Sequence, residues 1–389
     1  MHNNNILIVT PNNDTFTNPT MTTLFHLLRK EGTHVFLVGP DQFPACPENI
    51  DNVTHVVSKF RLFLFRNPRN YKDQVKSYAA ARDIIKNYHI KTILAVDPLG
   101  LIIGGRIKRF INSGIHLSYL SFEIFFRSEL SGYYLKLKAK EIYYSRYIDS
   151  LLTQDTKRQS LLVHENKIQL NTGIALVPVS PMKIQIAQKP DLHQRFGISR
   201  TKNLVVYSGS VGEWCGTRAI IDAFDKRYWD ENFHLVFHTR KPVSDDSEFY
   251  ADLKRLDTNT DIPFTLHAHP FDSFELLSEF LSGFDVALAL YYPNNQNPYY
   301  GRNMKEIGLS SGKFSTYMML GLPTVVTECD IYNQLSAGYK FGCVLSDLSQ
   351  IGNLLHKACS YGNEDALKLY QNELEPLLSL NQYLKVFGK

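Results

Sequence analysis

The chain has 389 residues, more than one core normally fills, so two domains of ordinary size are expected. Its 44% hydrophobic and 21% charged residues exclude extended disorder, and a formal net charge of +4 is too small and scattered to give the dense basic face of a nucleic-acid binder. The five cysteines, Cys46, Cys215, Cys329, Cys343 and Cys359, are odd in number, far apart and without metal-ligand spacing, which is the pattern of free thiols in a reducing compartment.

The first residues, "MHNNNILIVTPNND", hold only a short apolar run and no cleavage-like segment, so they read as the start of a domain rather than a secretion signal. The longest apolar stretches, 60–65 and 99–103, fall far short of a membrane span, and the expected location is the cytoplasm. Strand-like runs then alternate with helix-like runs: "NILIVT" (5–10), "HVFLVG" (34–39), "THVVS" (54–58), "KTILAVD" (91–97), "HLSYLS" (116–121) and "SLLTQ" (150–154). In the first helix Asn18 is a cap and Pro19 the first helical residue. Met21, Leu24, Phe25 and Leu28 share one face, and Gly32 stops the helix. The segment 133–147, "YYLKLKAKEIYYSRY", is basic and aromatic at helical spacing. It fits either a helix resting on an anionic membrane surface, at its inner face, or core packing with a solvated lysine face.

The alternation pauses over 176–202, "LVPVSPMKIQIAQKPDLHQRFGISRTK", whose three prolines and lack of period mark a linker; the first domain is set at 1–178 and the second at 179–363. A second series follows: "NLVVYSG" (203–209), a helix from about Thr217, "FHLVFHT" (233–239), a helix over 249–256, "FTLHAH" (264–269), a helix over 274–281, "DVALALY" (285–291), then "IGLSSGKFSTYMMLGLPTVVTE" (307–328) and "GCVLS" (342–346). Residues 364–389 read as polar helices without a strand, expected to cross back onto the first domain. The fold class is therefore α/β, two Rossmann-like doubly wound domains facing across a cleft, with ligand-binding residues in the loops just after strands.

Three such loops in the second half suit an anion. Ser310, Ser311, Gly312 and Lys313 form a turn at the start of a helix, where backbone N–H groups, the helix dipole and a lysine can hold phosphate oxygens; the competing reading is a helix cap serving only itself. "VVYSGSVGEWCGT" supplies a second turn with Gly209, Ser210 and Gly212, which otherwise only permit a tight turn. "HTRKP" places Arg240 and Lys241 at a third strand end, where solvated surface charge is the alternative. In the first half Asp97 and Glu123 follow the fourth and fifth strands. Asp97, before Pro98, has helix capping as its competing role, and Glu123 sits in a hydrophobic setting. "HAHP" at 267–270 has the wrong length and company for a metal site.

"GKFSTYMMLGLPTVV" resembles the donor-binding segment of the GT-B glycosyltransferases, especially the large retaining nucleotide-sugar-dependent family, glycosyltransferase family 4-like. The likeness extends more loosely to "VVYSGSVGEW", "FHLVFHTRKP", "HPFDSFELLSEFLSGFDVALALY", "YLSFEI" and "TQDTKRQSLL". It implies transfer of a sugar from a UDP- or GDP-linked donor to a glycan or lipid-linked acceptor, in glycan or surface polysaccharide synthesis, with retention of anomeric configuration. Neither a metal nor another cofactor is implied, and no nucleic acid. It makes Lys313, Arg240, Glu123 and Asp97 the catalytic candidates, and it gives Gly209, Ser210, Gly212, Lys241, His269, Ser310, Ser311, Gly312 and Thr316 to the donor.

One departure stands out: many relatives carry two glutamates where this chain has Gly308 and Thr316, the second binding the nucleotide ribose. A threonine hydroxyl there forfeits about 1 to 3 kcal/mol of charge-assisted hydrogen bonding, and Glu306 is the nearby substitute. A nucleotide-sugar epimerase of the same architecture and a non-catalytic relative that only binds are the alternative readings.

Overall fold

The computed structural model describes residues 5–12, 15–40, 52–60, 71–169, 173–244, 246–295, 297–379 and 382. Cys46 and residues 13 and 14 of the loop after the first strand lie outside them. The chain divides into two compact units, Met1–Met182 with Pro376–Lys389, and Lys183–Glu375.

The first unit runs β1 (Asn5–Val9), α1 (Pro19–Lys30), β2 (His34–Pro40), β3 (Val53–Phe60), α2 (Tyr71–Asn87), β4 (Ile90–Val96), α3 (Asp97–Phe110), β5 (His116–Leu120), α4 (Gly132–Ser145), β6 (Ser150–Thr153), α5 (Thr156–Asn166) and β7 (Gly173–Leu176). Its seven strands form one parallel sheet in the order β3-β2-β1-β4-β5-β6-β7, so the chain changes direction between β1 and β4. Strands of a sheet covered on both faces are apolar throughout, and β1 and β4 accordingly bury residues of both parities. On one face Ile6, Ile8, Leu94 and Val96 meet Met21, Leu24, Phe25 and Leu28 of α1. The Asn18 side chain accepts from Thr20 N (3.0 Å) and Met21 N (3.2 Å), as the capping pattern requires.

On the other face α3 lies almost against the strands because it presents glycines there. A Cβ on Gly100 would fall 2.5 Å from the Val9 carbonyl oxygen, and one on Gly104 would fall 2.7 Å from Leu117 Cδ1. β7 has no counterpart in the sequence reading. Its four residues, Gly-Ile-Ala-Leu, carry little strand preference and are extended by pairing with β6, from Ser150 opposite Gly173 to Thr153 opposite Leu176.

The second unit contains α6 (Leu192–Phe196), β8 (Asn203–Ser208), α7 (Thr217–Asp225), β9 (Phe233–Thr239), α8 (Tyr250–Thr258), β10 (Phe264–Ala268), α9 (Phe274–Ser282), β11 (Val286–Ala289), α10 (Arg302–Lys305), α11 (Gly312–Met319), β12 (Thr324–Thr327), α12 (Asp330–Gly338), β13 (Gly342–Leu345), α13 (Ile351–Cys359) and α14 (Glu364–Leu369). Its six parallel strands are ordered β10-β9-β8-β11-β12-β13, with the change of direction between β8 and β11. Helices α7, α8 and α13 cover one face, and α9, α11, α12 and α14 the other.

The C-terminal end differs from the sequence expectation, which closes this domain at 363. Ala366, Leu369, Tyr370 and Leu374 are buried in the second unit's own core beside α11, so this unit extends to Glu375 and only the residues from Pro376 group with the first. Their apolar positions already have a core to fill before the chain leaves the unit.

Candidate functional site

In a parallel sheet all strands end on the same edge, so the turns after β8, β9 and β11 are brought to one side of the second unit. β8 and β9 run in register, Ser208 opposite His238, and Gly209 N donates to the His238 carbonyl at 3.0 Å. Arg240 and Lys241 therefore stand one strand away from Gly209, and both are exposed. Tyr317 of α11 accepts a hydrogen bond from Ser208 N at 3.0 Å through its hydroxyl, which ties α11 to the end of β8.

Lys313, in the first turn of α11, points its ammonium into this junction. Nζ lies 3.9 Å from the centre of the Tyr207 ring and 5.4 Å from that of Tyr291. The Gly209 turn lies close against it: a Cβ built on Gly209 would sit 2.9 Å from Nζ. Part of the lysine residue remains at the surface, but Nζ itself is shielded from solvent and has no hydrogen-bond partner. Removing an ammonium from water favours its neutral form, and burial pushes Lys313 down to about 8. The two aromatic faces supply some cation–π attraction, but they do not replace the hydrogen bonds the ammonium has lost.

The surrounding polar atoms are largely committed. Tyr207 donates to the Ser210 carbonyl (2.7 Å), and Cys215 Sγ, buried in the same turn, donates toward the carbonyls of Ser210 and Gly212 (3.0 and 3.2 Å). Gly212 N donates to Thr217 Oγ1 at 3.0 Å. Ser311 has the capping role: its buried hydroxyl accepts from Phe314 N (3.1 Å) and lies 2.7 Å from the Tyr291 hydroxyl. The caged lysine, Tyr207, Tyr291, Tyr317 and Cys215 were outside the sequence reading apart from Lys313 itself. The available signal was a tyrosine close to the end of each of the apolar runs "NLVVYSG" and "DVALALY".

The ribose candidates are placed differently. Thr316 is buried and its hydroxyl donates to the Gly312 carbonyl at 2.8 Å, so its proton is spent inside its own helix. Gly308 has φ +44°, a conformation that a glutamate side chain disfavours, and its carbonyl accepts from the Tyr332 hydroxyl at 2.9 Å. Glu306 follows α10 and is half-buried. Two strands from Gly209, the backbone of His269 is bonded on both sides: its N–H donates to Thr239 (2.9 Å) and its carbonyl accepts from His238 Nε2 (2.9 Å). That bond puts the His238 proton on Nε2, leaving Nδ1 to accept from Ser208 Oγ at 2.8 Å. The neighbouring His267 stacks on His269, and burial, with Arg195 next in weight, pushes it down to about 4.

In the first unit Asp97 is the organising residue of the corresponding edge. It is buried at the end of β4 in a left-handed conformation (φ +56°). Its Oδ1 accepts from the backbone N–H groups of Phe122 (2.8 Å) and Glu123 (3.1 Å), and its Oδ2 from Asn12 Nδ2 (2.7 Å). One carboxylate thus ties together the loops after β1, β4 and β5. Buried Arg158 adds a bond to the Phe122 carbonyl (2.6 Å), and Gln154 one to the Ser121 carbonyl (2.9 Å). Glu123, half-buried, sits on the turn that these groups hold. Among the described residues no three His, Cys, Asp or Glu side chains are grouped to bind a metal ion, and no helix is long and apolar enough to cross a membrane.

No protein-family profile matches the sequence, and no curated protein matches it either. The likeness to known proteins is one of structure, and it spans both units. Sucrose-phosphate synthase from Thermosynechococcus elongatus superposes with a TM-score of 0.74 at 13% identity, covering 99% of this chain and 98% of that one. A glycosyltransferase from Rickettsia africae gives 0.72 at 11% identity, covering 100% and 98%. HepE from Anabaena, crystallised with UDP-glucose, gives 0.71 at 12% identity, covering 99% of each. The chain has the fold of the GT-B glycosyltransferases, two Rossmann-like α/β domains.

Proposed function

We propose that the protein is a glycosyltransferase that moves a sugar from a UDP- or GDP-linked donor, held by the second unit, to a hydroxyl of a glycan or lipid-linked acceptor, held by the strand-end loops of the first. The observation that carries this reading is the shielded, unpartnered Lys313 ammonium at the N-terminus of α11, beside the Gly209 turn. A cation desolvated in advance interacts more strongly with an arriving diphosphate than one in water. It is also placed for the moment of reaction, when the glycosidic bond to phosphate breaks and negative charge grows on the departing diphosphate.

In the retaining form of the reaction, the acceptor oxygen bonds to the anomeric carbon on the face the diphosphate leaves. The acceptor's proton passes to a departing phosphate oxygen. Lys313, the free N–H end of α11 and the exposed Arg240 and Lys241 supply the countercharge, so no divalent metal is needed. The setting is the cytoplasm, in glycan or surface polysaccharide synthesis. A second reading, a protein that binds a nucleotide sugar without turnover, is favoured by the Thr316 hydroxyl turned into its own helix and by Gly308 in a glycine conformation.

The test is a thermal-shift panel of UDP, GDP, ADP, CMP and their sugars, followed by turnover with the nucleotide that stands out. Saturation at a hundred times the dissociation constant adds about 2.7 kcal/mol of apparent stability. Stabilisation by one nucleoside diphosphate with release of that diphosphate on adding acceptor is the expected result. No stabilisation by any of them overturns both readings, and stabilisation without turnover leaves the second.

A further inference from the structure

The second unit has a cavity that the proposed donor site does not use. It measures about 600 Å³ and lies at the ends of β11, β12 and β13, on the side of the sheet that α7 covers. That size is within the range of small-molecule sites, about 300 to 1,000 Å³. Successive residues of an extended chain point to opposite faces, and the end of β11 uses this to separate two environments. Tyr291 packs into the core beside α11, where its ring approaches Lys313, whereas Tyr292 packs against the core under α7. Both line the cavity, and Tyr291 is the one lining residue shared with the Lys313 junction.

Two of the charged residues on its wall serve the surface of α7. Arg218 pairs with Asp252 at 3.0 Å, and Asp222 holds Lys226 at 2.9 Å. The others are left over. Among the described residues, the Lys305 ammonium and the hydroxyls of Tyr292 and Ser346 meet no partner within the protein. Glu213 and Glu328 are each held by one side-chain amide, from Asn294 at 3.4 Å and Asn333 at 3.3 Å, beyond the usual N–H···O distance. Burial pushes the Tyr292 phenol up to about 12, so its hydroxyl keeps its proton and can donate. Pro293 and Leu348 make the wall apolar between these groups.

We infer that this cavity is a second saccharide site, which holds a neutral pyranose, as part of a glycan or as a free sugar, apart from the nucleotide-sugar donor. A sugar hydroxyl both donates and accepts. It gives its proton to the carboxylates of Glu213 and Glu328 and receives one from Lys305, Tyr292 or Ser346. The C–H face of the ring is apolar and lies against the Tyr292 ring and Pro293. Other ligand classes fit worse. A phosphorylated molecule would face the carboxylates of Glu213, Asp222 and Glu328, a polyamine would face Lys305, and a hydrocarbon would leave all of these groups without partners. A neutral polyhydroxyl ligand answers both signs at once. The inference goes beyond the proposed transfer and does not rest on it, since Glu213, Glu328, Lys305, Tyr292 and Ser346 have no part in holding the donor.

The experiment is saturation-transfer NMR on the whole protein with glucose, galactose, mannose and N-acetylglucosamine, with maltotriose, cellotriose and chitotriose, and with the hexose 6-phosphates as charged controls. A neutral sugar should bind, and its phosphate should bind more weakly. A trisaccharide that binds more tightly than its monomer identifies a glycan chain as the ligand, and equal binding a free sugar. The double variant Lys305→Ala/Glu328→Ala, at two exposed positions, should weaken sugar binding about tenfold. Tyr292→Phe, which removes only a hydroxyl, should weaken it about fivefold. Both variants should melt at the temperature of the unmodified protein, which shows them folded. No signal from any sugar, phosphates that bind better than their parent sugars, or sugar binding that neither variant changes would each overturn the inference. Sugar binding that the variants weaken, in a protein with no nucleotide response, would instead count against the proposed donor site alone.

Discussion

The strand-end edges of the two units solve opposite problems. In the first, Asp97 is a buried carboxyl group whose two oxygens accept from three N–H donors on two other loops. In the second, Lys313 is a shielded cation whose neighbours are already bonded to one another, which leaves its ammonium with aromatic faces alone. A satisfied buried charge rigidifies its surroundings. An unsatisfied one lowers stability until something of opposite charge arrives. On the proposed function, the first edge is finished by folding and the second by its ligand.

The strongest attempt to break this contrast is Lys313→Ala. If the ammonium meets the leaving diphosphate, turnover should fall about a hundredfold to a thousandfold, measured as kcat with the donor the nucleotide panel identifies. Wild-type rates would remove Lys313 from the chemistry. Next comes Asp97→Ala, which leaves three donors without their acceptor and puts alanine at φ +56°. It should cost about 2 to 4 kcal/mol in urea unfolding. Asp97→Asn should recover much of that, since asparagine accepts through its carbonyl and tolerates the left-handed region.

Lys313→Met sharpens the comparison from the other side. Replacing an unpaired buried charge by an apolar chain of similar length should raise stability by about 1 to 3 kcal/mol, seen as a higher melting temperature together with loss of the nucleotide-induced shift. A lower melting temperature would mean that the lysine is satisfied in the free protein.

Acidity gives a subtler handle. With its pKa pushed down to about 8, Lys313 is charged below that pH and loses its proton above it. Affinity for the nucleoside diphosphate should therefore decline as pH rises through about 8, by up to about tenfold per unit, and the bound anion should move the midpoint upward. Calorimetric titration across this range, compared with Lys313→Met, isolates the effect. The smallest change is expected of Thr316→Val. Its hydroxyl only closes a bond within α11, so stability and nucleotide affinity should move by less than about 0.5 kcal/mol. A marked drop in affinity would place the hydroxyl on the ribose.

Where the sequence was readable, the reason was periodicity. Runs such as "ILIV" (6–9) and "LVVY" (204–207) are apolar at every position, as strands covered on both faces must be, and the Asn18-Pro19 and Ser311-Gly312 pairs announce helix starts by their own hydrogen bonding. β7 was not legible, because its extension comes from pairing with β6 and from nothing in Gly-Ile-Ala-Leu. The burial of Ala366 and Leu369 in the second unit was likewise invisible in a polar helical segment, since a helix declares its apolar face but not which core receives it.

The same division runs through the candidate site. Sequence alone determined the two α/β domains and the strand-end location of Gly209, Arg240 and Lys313, because β-alternation and parallel pairing are local and repetitive physical constraints. Only the tertiary structure decided that Lys313 is caged by Tyr207 and Tyr291, that Asp97 binds two other loops, and that α4 hides Glu141 while exposing Leu135. Those outcomes depend on which side chains meet across elements tens of residues apart, and on how much water is left between them, neither of which a linear pattern encodes.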